Sequence, residues 1–401
     1  MTARRRLLSI ATLYPNAHAP QFGTFVARSL EALAARGEWE VTVINPIGIP
    51  PLALGRYRAL AKAAVDGVEN GIAVHRPSHM LIPRLGARIN PSMIARAVLP
   101  LARRLHEEQP FDLVDAQFFY PDGPAAAWIG RQLGLPYAIK GRGSDITYWG
   151  AKAYAREQML DAAVGARGLL AVSQALAADM AALGMPASKI AIHYTGLDRN
   201  RFRPLAHSGL RTKLGASLGI PLGEKEKVVA TVGALIDRKR QDLVIGAVAS
   251  ISGTRLLLVG KGEDEKYLRD LARDLRVEDR VHFLGPVDHD TLPVVLSAAD
   301  AMVLPSKKEG LANAWVEALA CGTPIVISDA GGARELVTGP EAGYVVARDI
   351  ESIAAALRKL FADPPPREAV AATVERFGWP AHAAELARIY EGLISRGSTS
   401  V

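Results

Sequence analysis

The sequence predicts an α/β protein with two doubly wound domains, each a parallel sheet covered by helices on both faces. Short, nearly continuous apolar runs alternate with segments of helical periodicity along the whole chain. Strands that are apolar throughout their length are typical of parallel sheets with both faces buried. This series occurs twice in 401 residues, which favours two separate sheets over one closed barrel.

The individual elements follow from this pattern, in chain order. In the first half, the predicted strands are Leu7–Leu13, Val41–Asn45, Leu113–Ala116, Tyr137–Lys140, Leu169–Val172 and Ile190–Tyr194, and the predicted helices are Phe25–Arg36, Pro91–Glu108, Gly123–Leu133 and Gln174–Leu183. In the second half, the predicted strands are Val228–Val232, Arg255–Val259, Val281–Leu284, Ala301–Leu304 and Pro324–Ser328, and the predicted helices are Asp242–Ala249, Asp264–Leu275, Thr291–Ala299 and Asn313–Ala320. The run at Leu7 follows three arginines, but no small-residue cleavage site comes after it, so we interpret it as a buried strand and not as a signal peptide.

A domain boundary is predicted after Gly196, where a polar segment follows the last strand of the first series. The N-terminal domain is then 1–196 and the C-terminal domain 197–375. Residues 376–401 are predicted to form a C-terminal helix, because apolar residues recur there at helical spacing, namely Trp379, Leu386, Ile389, Tyr390 and Leu393. Its apolar face could cover either domain, and packing back on the N-terminal domain is one of the two outcomes.

Composition indicates a globular protein of a reducing compartment. Hydrophobic residues make up 49% of the chain and charged residues 22%. Cys321 is the single cysteine, which excludes an internal disulfide framework and predicts a cytoplasmic protein. No apolar run approaches the roughly 20 residues that a membrane-spanning helix needs.

The net charge of +7 lies in the first half of the chain. Residues 1–196 hold 21 Lys and Arg against 14 Asp and Glu. Between Asn70 and His106 there is no acidic residue, and apolar residues separate the basic ones, which are Arg76, Arg84, Arg88, Arg96, Arg103 and Arg104. Such a segment suits the anionic inner face of a membrane, contacted through residues 76–104, and equally a helix with a solvated basic face. Nucleic acid is not expected, since no aromatic stacking platform accompanies the charge.

Several cofactor motifs are missing from the sequence. No GxGxxG follows the first strand, and there is no P-loop, HExxH or zinc spacing. Asp288-His289-Asp290 matches a short acidic pattern that can hold a divalent metal. Because it precedes a predicted helix, where Asp is a common cap, we expect capping there and no metal site.

Residues 309–322 carry the most specific chemical signal. Glu309 and Glu317 lie eight residues apart, and Asn313 stands in the N-cap position of a short apolar helix. A helix N-terminus holds anions well, so the amides of Gly310, Leu311 and Ala312 are expected to face a phosphate. Carboxylates beside it can accept hydrogen bonds from sugar hydroxyls. The pattern suits a nucleotide-sugar; the alternative is an ordinary capped helix.

With these motifs in view, the chain resembles family-4 retaining glycosyltransferases of the GT-B fold over nearly its whole length. That fold has two Rossmann-like domains that face each other across a cleft, where donor and acceptor meet. The motifs that carry the resemblance in the second half are Val232–Arg240, Val259–Gly262, Phe283–Gly285, Leu304–Ser306, Glu309–Gly310, Glu317 and Ala320–Pro324. In the first half, a likeness to polysaccharide-assembling members rests on Tyr14–Asn16, Phe22–Phe25, Tyr120–Gly123 and Gly141–Asp145.

The resemblance implies catalytic roles for four residues. Lys239 is expected to contact the donor diphosphate and to stabilise it as the leaving group. Glu309 is expected near the sugar and the diphosphate, and Arg142 or Asp145 is expected to face the transferred sugar or the acceptor.

The resemblance also implies a donor-binding set. Glu317 would hold the ribose hydroxyls, and Gly285, Pro286 and Val287 would border the base. Gly23 would let the backbone approach the diphosphate closely. The complete donor-binding set is Gly23, Arg238, Gly285, Val287, Gly310, Leu311, Ala312 and Glu317. No cofactor and no metal are implied, since the UDP- or GDP-linked sugar is a substrate.

Three positions depart from the family pattern. Ala234 stands where relatives often carry a second cation, for which Arg238 or Arg240 could substitute. Gln117 replaces a His and cannot act as a general base. Arg142 also replaces a His, and its permanent charge favours an anionic partner.

The implied activity is transfer of a sugar from a nucleoside-diphosphate-sugar to an acceptor hydroxyl, with retention of configuration. The expected acceptor is a lipid-linked saccharide of exopolysaccharide or cell-surface glycan synthesis, at the inner membrane face. Two alternatives remain open at this point: a nucleotide-sugar epimerase on the same fold, and a catalytically idle protein that binds sugar nucleotides.

Overall fold

The structure is a computed structural model that describes residues 4–52, 55–82, 86–206, 208–288 and 290–395, without the side chain of Arg56. Its described residues form two compact units. The first runs to Gly196 and resumes at Trp379, and the second is Leu197–Gly378. The predicted fold class, two α/β domains built on parallel sheets, is confirmed; their arrangement around a cleft stays a prediction.

The elements of the first unit are ten strands and seven α-helices within the described residues. The strands are β1 (Arg5–Ile10), β2 (Trp39–Ile44), β3 (Ile47–Ile49), β4 (Gly67–Glu69), β5 (Ile72–His75), β6 (Ser78–Met80), β7 (Leu113–Ala116), β8 (Tyr137–Gly141), β9 (Gly168–Ala171) and β10 (Ile190–Ile192). The helices are α1 (Thr24–Ala35), α2 (Arg56–Lys62), α3 (Asn90–Glu108), α4 (Asp122–Leu133), α5 (Ala153–Gly165), α6 (Gln174–Ala182) and α15 (Trp379–Ser395).

The sheet of the first unit has the strand order β10-β9-β8-β7-β1-β2-β5-β4. All pairs are parallel except β4 with β5. Leu8 and Ile10 of β1 pack toward α3, α4 and α5, whereas Leu7 packs toward α1 and α15. The sheet is therefore covered on both faces, as the apolar strand pattern predicts. β3 and β6 form a separate two-stranded parallel pair.

The second unit contains one six-stranded sheet, all parallel, with the order β13-β12-β11-β14-β15-β16. Its strands are β11 (Lys227–Val232), β12 (Thr254–Val259), β13 (Val281–Gly285), β14 (Ala301–Leu304), β15 (Ile325–Ser328) and β16 (Gly343–Val346). Its helices are α7 (Leu210–Leu218), α8 (Gln241–Ala249), α9 (Glu265–Asp274), α10 (Thr291–Ala298), α11 (Asn313–Ala320), α12 (Ala333–Leu336), α13 (Ile350–Ala362) and α14 (Arg367–Ala372).

Each sheet has a topological switch point, where the chain order reverses. In the first sheet it lies between β1 and β7, and in the second between β11 and β14. The loops that leave the carboxyl ends of two such strands diverge, and ligands bind in the opening between them. The loop after β11 leads to Lys239, and the loop after β14 leads to Glu309. Gln117 directly follows β7.

The C-terminal helix α15 packs against α1 of the first unit through Leu386, Tyr390 and Leu393. This is one of the two placements that the sequence left open. The change of unit falls between Gly378 and Trp379, slightly beyond the predicted boundary at residue 375. A short 3₁₀ turn, Glu375–Phe377, occupies the intervening residues and belongs to the second unit.

The predicted basic segment is not one continuous surface. Its first part forms β5 and β6, and its last part forms α3. Arg76 is only 6% exposed and pairs with Glu69 at 2.5 Å, so its predicted place on a membrane-facing surface was wrong. Burial needs such a partner, because an unpaired buried guanidinium is costly. Arg84 lies outside the described residues, whereas Arg88, Arg96, Arg103 and Arg104 are exposed. Within the described ranges, no helix combines the length and the apolar character needed to cross a bilayer.

Candidate functional site

An ion pair joins the two loops at the switch point of the second sheet. The Lys239 Nζ lies 2.5 Å from Glu309 Oε1, and the two side chains are 11% and 9% exposed. Lys239 ends a 3₁₀ turn, Asp237–Lys239, that follows β11. Burial lowers the pKa of the Lys239 ammonium, and the Glu309 carboxylate opposes that shift. The pair thus holds a desolvated cation at the carboxyl end of the sheet, a position suited to an anionic ligand.

The neighbouring arginines differ in their contacts. Arg238 donates from Nη1 to Glu309 Oε1 at 3.1 Å and to the carbonyl of Lys308. Arg240 instead donates to both carboxylate oxygens of Asp242, at 2.8 Å to 3.2 Å. Arg238 therefore borders the Lys239–Glu309 pair, whereas the guanidinium of Arg240 is held in a separate ion pair.

Glycines bring the loops of this site close together. Gly331, at φ +56°, lies so near the Glu309–Gly310 backbone that a Cβ would meet both carbonyl oxygens at 2.3 Å. Gly332 donates its N–H to the carbonyl of Gly310 at 2.7 Å. The loop after β15 thus fixes the segment that carries Glu309, and only glycine fits at position 331.

The amides of Gly310, Leu311 and Ala312 precede helix α11 and donate no hydrogen bond to any described residue. These are the three amides that were predicted from the sequence to face a phosphate. Asn313 is the first helical residue and Ala312 the N-cap, so the predicted N-cap role of Asn313 was wrong. Ala312 makes no side-chain cap, which leaves the helix N-terminus open to an anion.

Glu317 is half-buried and lies in the second turn of α11, eight residues after Glu309. Burial raises the pKa of its carboxyl to about 7. Its carboxyl has no hydrogen-bond partner among the described residues. A ligand hydroxyl could satisfy this group, which is the chemistry expected of a ribose contact.

Gly285 ends β13 and Val287 lies two residues beyond it, and Gly285 has φ +67° with open space where a Cβ would stand. Gly23 is the N-cap of α1 at φ +73°. A Cβ there would lie 2.5 Å from the Leu13 carbonyl carbon, so the close approach that requires glycine is to the protein's own backbone. The predicted donor contacts of these three residues stay predictions.

In the first unit, Arg142 and Gln117 come together at the carboxyl ends of β7 and β8. Arg142 donates from Nε to the Gln117 carbonyl and from Nη2 to Gln117 Oε1, both at 2.6 Å. Its guanidinium lies 4.8 Å from the centre of the Phe25 ring. Gln117 is thus a hydrogen-bonding residue that holds Arg142.

Asp145 does not face a ligand. Its side chain is fully buried, and its carboxylate accepts hydrogen bonds from the amides of Phe119, Arg142, Gly143 and Ile146 at 2.7 Å to 3.1 Å. The predicted contact of Asp145 with sugar or acceptor was therefore wrong, because both oxygens serve the local backbone. It fixes the loop that carries Arg142.

Two cavities accompany these residues. One of about 480 Å³ in the first unit has a mostly apolar lining, and its polar members are Thr12, Asn16, His18, Tyr57, His79 and Asn90. One of about 420 Å³ in the second unit lies beside Asp237, Arg240 and Lys307. Sequence reasoning missed the first cavity because its walls come from the loop after β1 and from short elements after β2. Thr12, in its lining, donates to Asp122, which belongs to the Tyr120–Gly123 motif that the sequence did single out.

The Asp288–Asp290 segment behaves as a cap. Asp288 Oδ1 accepts from the amides of Asp290 and Thr291 at 3.1 Å and 2.6 Å, at the start of α10. His289 lies outside the described residues. In the described part of the chain, no cluster of His, Cys, Asp or Glu is arranged to hold a metal ion.

Comparisons with known proteins agree with this geometry. The family model "Glycosyltransferase Family 4" matches residues 23–201, and "Glycosyl transferases group 1" matches residues 219–376. A GDP-mannose-dependent monoacylated α-(1-6)-phosphatidylinositol monomannoside mannosyltransferase of Corynebacterium glutamicum is 36% identical over 44% of this chain and 48% of its own length. The chain thus spans about half the length of that relative.

A longer alignment joins the chain to TuaC of Bacillus subtilis, provisionally named a teichuronic acid biosynthesis glycosyltransferase. The two are 28% identical over 82% of each chain. Among solved structures, sucrose-phosphate synthase from Thermosynechococcus elongatus has a TM-score of 0.78 and 22% identity, over 98% of this chain and all of that one. Anabaena HepE in complex with UDP has a TM-score of 0.73 and 21% identity, over 97% and 100%. At these identities the structures establish the fold alone.

The raised pKa of Glu317 predicts a specific pH dependence of stability. Between about pH 4.5 and pH 7 the folded protein keeps a proton that the unfolded chain has released. A rise in pH across this range should therefore lower the free energy of unfolding. Glu317→Gln removes this titration, so its stability relative to wild type should increase by about 1–3 kcal/mol from pH 4.5 to pH 8.

Urea unfolding at a series of pH values measures this difference. Glu351→Gln is the matched control, since Glu351 is exposed in the first turn of α13. If Glu317→Gln and Glu351→Gln track wild type equally at every pH, Glu317 does not carry the proposed proton.

Proposed function

Because the chain belongs to the family-4 glycosyltransferases of the GT-B fold, we propose that it moves a sugar from a nucleoside-diphosphate-sugar to an acceptor hydroxyl with retention of configuration. The observation that carries this proposal is the Lys239–Glu309 ion pair, followed in the chain by three backbone amides, those of residues 310–312, that bond to no described residue. The cation is paired with Glu309, and the three amides directly follow Glu309 in the same loop at the carboxyl end of the sheet. A diphosphate satisfies both, and its charge needs stabilisation most as it leaves.

The reaction breaks the bond between the anomeric carbon and the β-phosphate oxygen. Negative charge grows on the diphosphate while the sugar acquires oxocarbenium character. The acceptor oxygen bonds to the anomeric carbon on the face that the diphosphate leaves, and its proton passes to the leaving phosphate oxygen. Gln117, which occupies a position where relatives often carry His, cannot take that proton. Lys239 and the helix amides neutralise the leaving group, so we propose that catalysis needs no metal.

Arg238 supplies the second cation of the diphosphate clamp in this proposal. Ala234 carries no charge at the position where relatives often do, and two arginines were candidates to replace it. Arg238 shares Glu309 Oε1 with Lys239, whereas Arg240 is engaged by Asp242. The geometry therefore favours Arg238.

Glu317 and the loop at Gly285 and Val287 complete the donor side. The unpartnered carboxyl of Glu317 would accept the ribose hydroxyls, and the open space at Gly285 would admit the base. The donor is UDP- or GDP-linked in this proposal. HepE has been solved with UDP, and the mannosyltransferase relative is named for GDP-mannose, so both bases belong in the first screen.

The proposed acceptor is a lipid-linked saccharide of cell-surface glycan or exopolysaccharide synthesis. The name of one relative includes a phosphatidylinositol mannoside and that of another teichuronic acid. The mostly apolar cavity of the first unit suits an acceptor with apolar groups.

Contact with an anionic membrane through Arg88, Arg96, Arg103 and Arg104 remains part of this proposal. Sedimentation with phosphatidylglycerol vesicles tests it; a protein that stays in the supernatant at low salt would exclude it.

An epimerase acting on the donor alone is the rival enzyme. It would process the sugar nucleotide with no acceptor present. Incubation with donor alone, followed by chromatography of the nucleotide-sugar, distinguishes the two: an epimerised donor contradicts the transferase, and an unchanged or slowly hydrolysed donor supports it. A protein that only binds sugar nucleotides would neither epimerise the donor nor transfer its sugar to an added acceptor.

Removal of the lysine–glutamate pair tests the proposed function directly. Lys239→Met and Glu309→Gln should each lower the transfer rate by about 10²–10³-fold. The first removes the cation that acts on the leaving diphosphate, and the second removes the carboxylate that holds this cation in place. Transfer from UDP- and GDP-sugars to octyl glucoside is the assay, with the anomeric configuration read by NMR.

Lys266→Met is the matched control, since Lys266 is 89% exposed on α9 and, among the described residues, forms an ion pair with Asp270 alone. It should transfer at the wild-type rate, and EDTA should leave that rate unchanged. Wild-type turnover in both Lys239→Met and Glu309→Gln would refute the assignment, and an inverted product would refute retention.

Two adjacent arginines allow a second test. Arg238→Ala should weaken binding of the nucleoside diphosphate about tenfold, since it removes one charge-assisted contact to phosphate, and should leave binding of the nucleoside unchanged. Arg240→Ala should leave both unchanged because its guanidinium serves Asp242. Calorimetry with UDP and uridine, or GDP and guanosine, measures these affinities. If Arg240→Ala shows the larger loss for the diphosphate, the clamp has been assigned to the wrong arginine.

A further inference from the structure

We propose that Tyr390, on the C-terminal helix α15, is a positioning residue for Arg142 and acts through Asp115 and Gln117. This inference rests on the proposed function, in which Arg142 faces the transferred sugar or the acceptor. All four residues belong to the first unit.

The four side chains form one hydrogen-bonded series. The Tyr390 hydroxyl donates to Asp115 Oδ2 at 2.5 Å, and Gln117 donates from Nε2 to the same oxygen. Because the amide nitrogen of Gln117 is held by Asp115, its Oε1 points the other way and accepts from Arg142 Nη2 at 2.6 Å. The Gln117 carbonyl accepts from Arg142 Nε. Each donor thus fixes the orientation of the next group, and the series ends on the guanidinium.

The four residues of this hydrogen-bonded series differ in their exposure to solvent. Tyr390, Asp115 and Gln117 are each 1% exposed, whereas Arg142 is half-buried. Arg142 is therefore the member of the series that reaches solvent and a ligand. A buried carboxylate costs several kcal/mol without partners, and the bonds that Tyr390 and Gln117 donate to Asp115 Oδ2 offset that cost. Apolar residues alone would hold the helix to the sheet, but they would not orient the Gln117 amide.

The rest of α15 is anchored independently of Tyr390. His382 bonds the Ser29 hydroxyl at 2.6 Å and the Tyr194 carbonyl at 2.9 Å. The Tyr390 ring packs edge-on against Trp39 with centroids 5.8 Å apart. Tyr390→Phe keeps the ring contact and the His382 bonds and removes the hydroxyl alone. The variant should therefore fold, with α15 in place.

Loss of the hydroxyl frees Asp115 to rotate or to take up a proton. The Gln117 amide can then turn and present its N–H groups to the guanidinium, which also only donates. Arg142 Nη2 then loses its acceptor, and the guanidinium, still bonded at Nε to the Gln117 carbonyl, turns away from the Gln117 side chain. A displacement of about 1 Å in a substrate-contacting group can cost a factor of about 100 in rate.

The experiment compares Tyr390→Phe, Gln117→Met, the double variant and a control, Tyr137→Phe. Tyr137 is also buried, and its hydroxyl donates to the Ala162 carbonyl at 2.9 Å, away from Arg142. Transfer from UDP-glucose and GDP-mannose to octyl glucoside is measured with the KM of donor and acceptor separated. Tyr390→Phe and Gln117→Met should each lower kcat/KM for the acceptor by about 10–100-fold and leave the donor KM unchanged.

Non-additivity is the readout that a merely structural role would not give. If Tyr390 acts through Gln117, the double variant should be no slower than Gln117→Met. Equal activity of Tyr390→Phe and Tyr137→Phe, or losses that multiply in the double variant, would overturn the positioning role. A wild type that transfers from neither donor would instead remove the proposed function, and the inference with it.

A crystal structure of Tyr390→Phe gives a test that needs no substrate. The proposal predicts that Arg142 Nη2 leaves Gln117 Oε1. A guanidinium that keeps its 2.6 Å contact would contradict it.

Discussion

The buried ion pair between Lys239 and Glu309 is the constraint on which the second unit's chemistry depends. An ammonium at this depth needs a carboxylate, because desolvation without a partner would neutralise it. The partner comes from a loop 70 residues further along the chain, which leaves the neighbouring strand across the switch point. The backbone of Gly331 and Gly332, in the loop after β15, packs closely against the same loop. The ion pair therefore joins the two loops of the site, and the loop of Glu309 carries the amides that are proposed to bind the ligand.

The first unit uses the same part of its sheet in another way. There the carboxyl ends of β7 and β8 carry buried acids whose hydrogen bonds go inward. Asp145 accepts hydrogen bonds from backbone amides, and Asp115 accepts them from the side chains of Tyr390 and Gln117. These carboxylates do not reach a ligand themselves but fix the backbone and side chain of Arg142. In the second unit a charged pair lies at the site, whereas in the first unit buried acids orient the half-buried guanidinium of Arg142.

Both sheets and most long elements were predictable from apolar periodicity, and Leu113–Ala116, Ala301–Leu304 and Asn313–Ala320 agree in their bounds. Five strands were missed, each with only three or four residues and therefore little periodic signal: β3, β4, β5, β6 and β16. Helix α5 was missed because alanines form most of its buried face. Motif resemblance led to Lys239 and Glu309, but Asp145 was misjudged, since no sequence pattern tells an acid that binds backbone amides from one that faces a ligand. Tyr390 was identified only as part of an apolar helix face, because its partner Asp115 lies 275 residues away.

The most direct test of the central claim is a crystal structure of the protein with a bound nucleoside diphosphate. The account predicts phosphate oxygens within about 3 Å of Lys239 Nζ and of the Gly310, Leu311 and Ala312 amides, with Glu317 on the ribose. A diphosphate bound instead in the cavity beside Arg240 and Lys307, with those three amides uncovered, would contradict it.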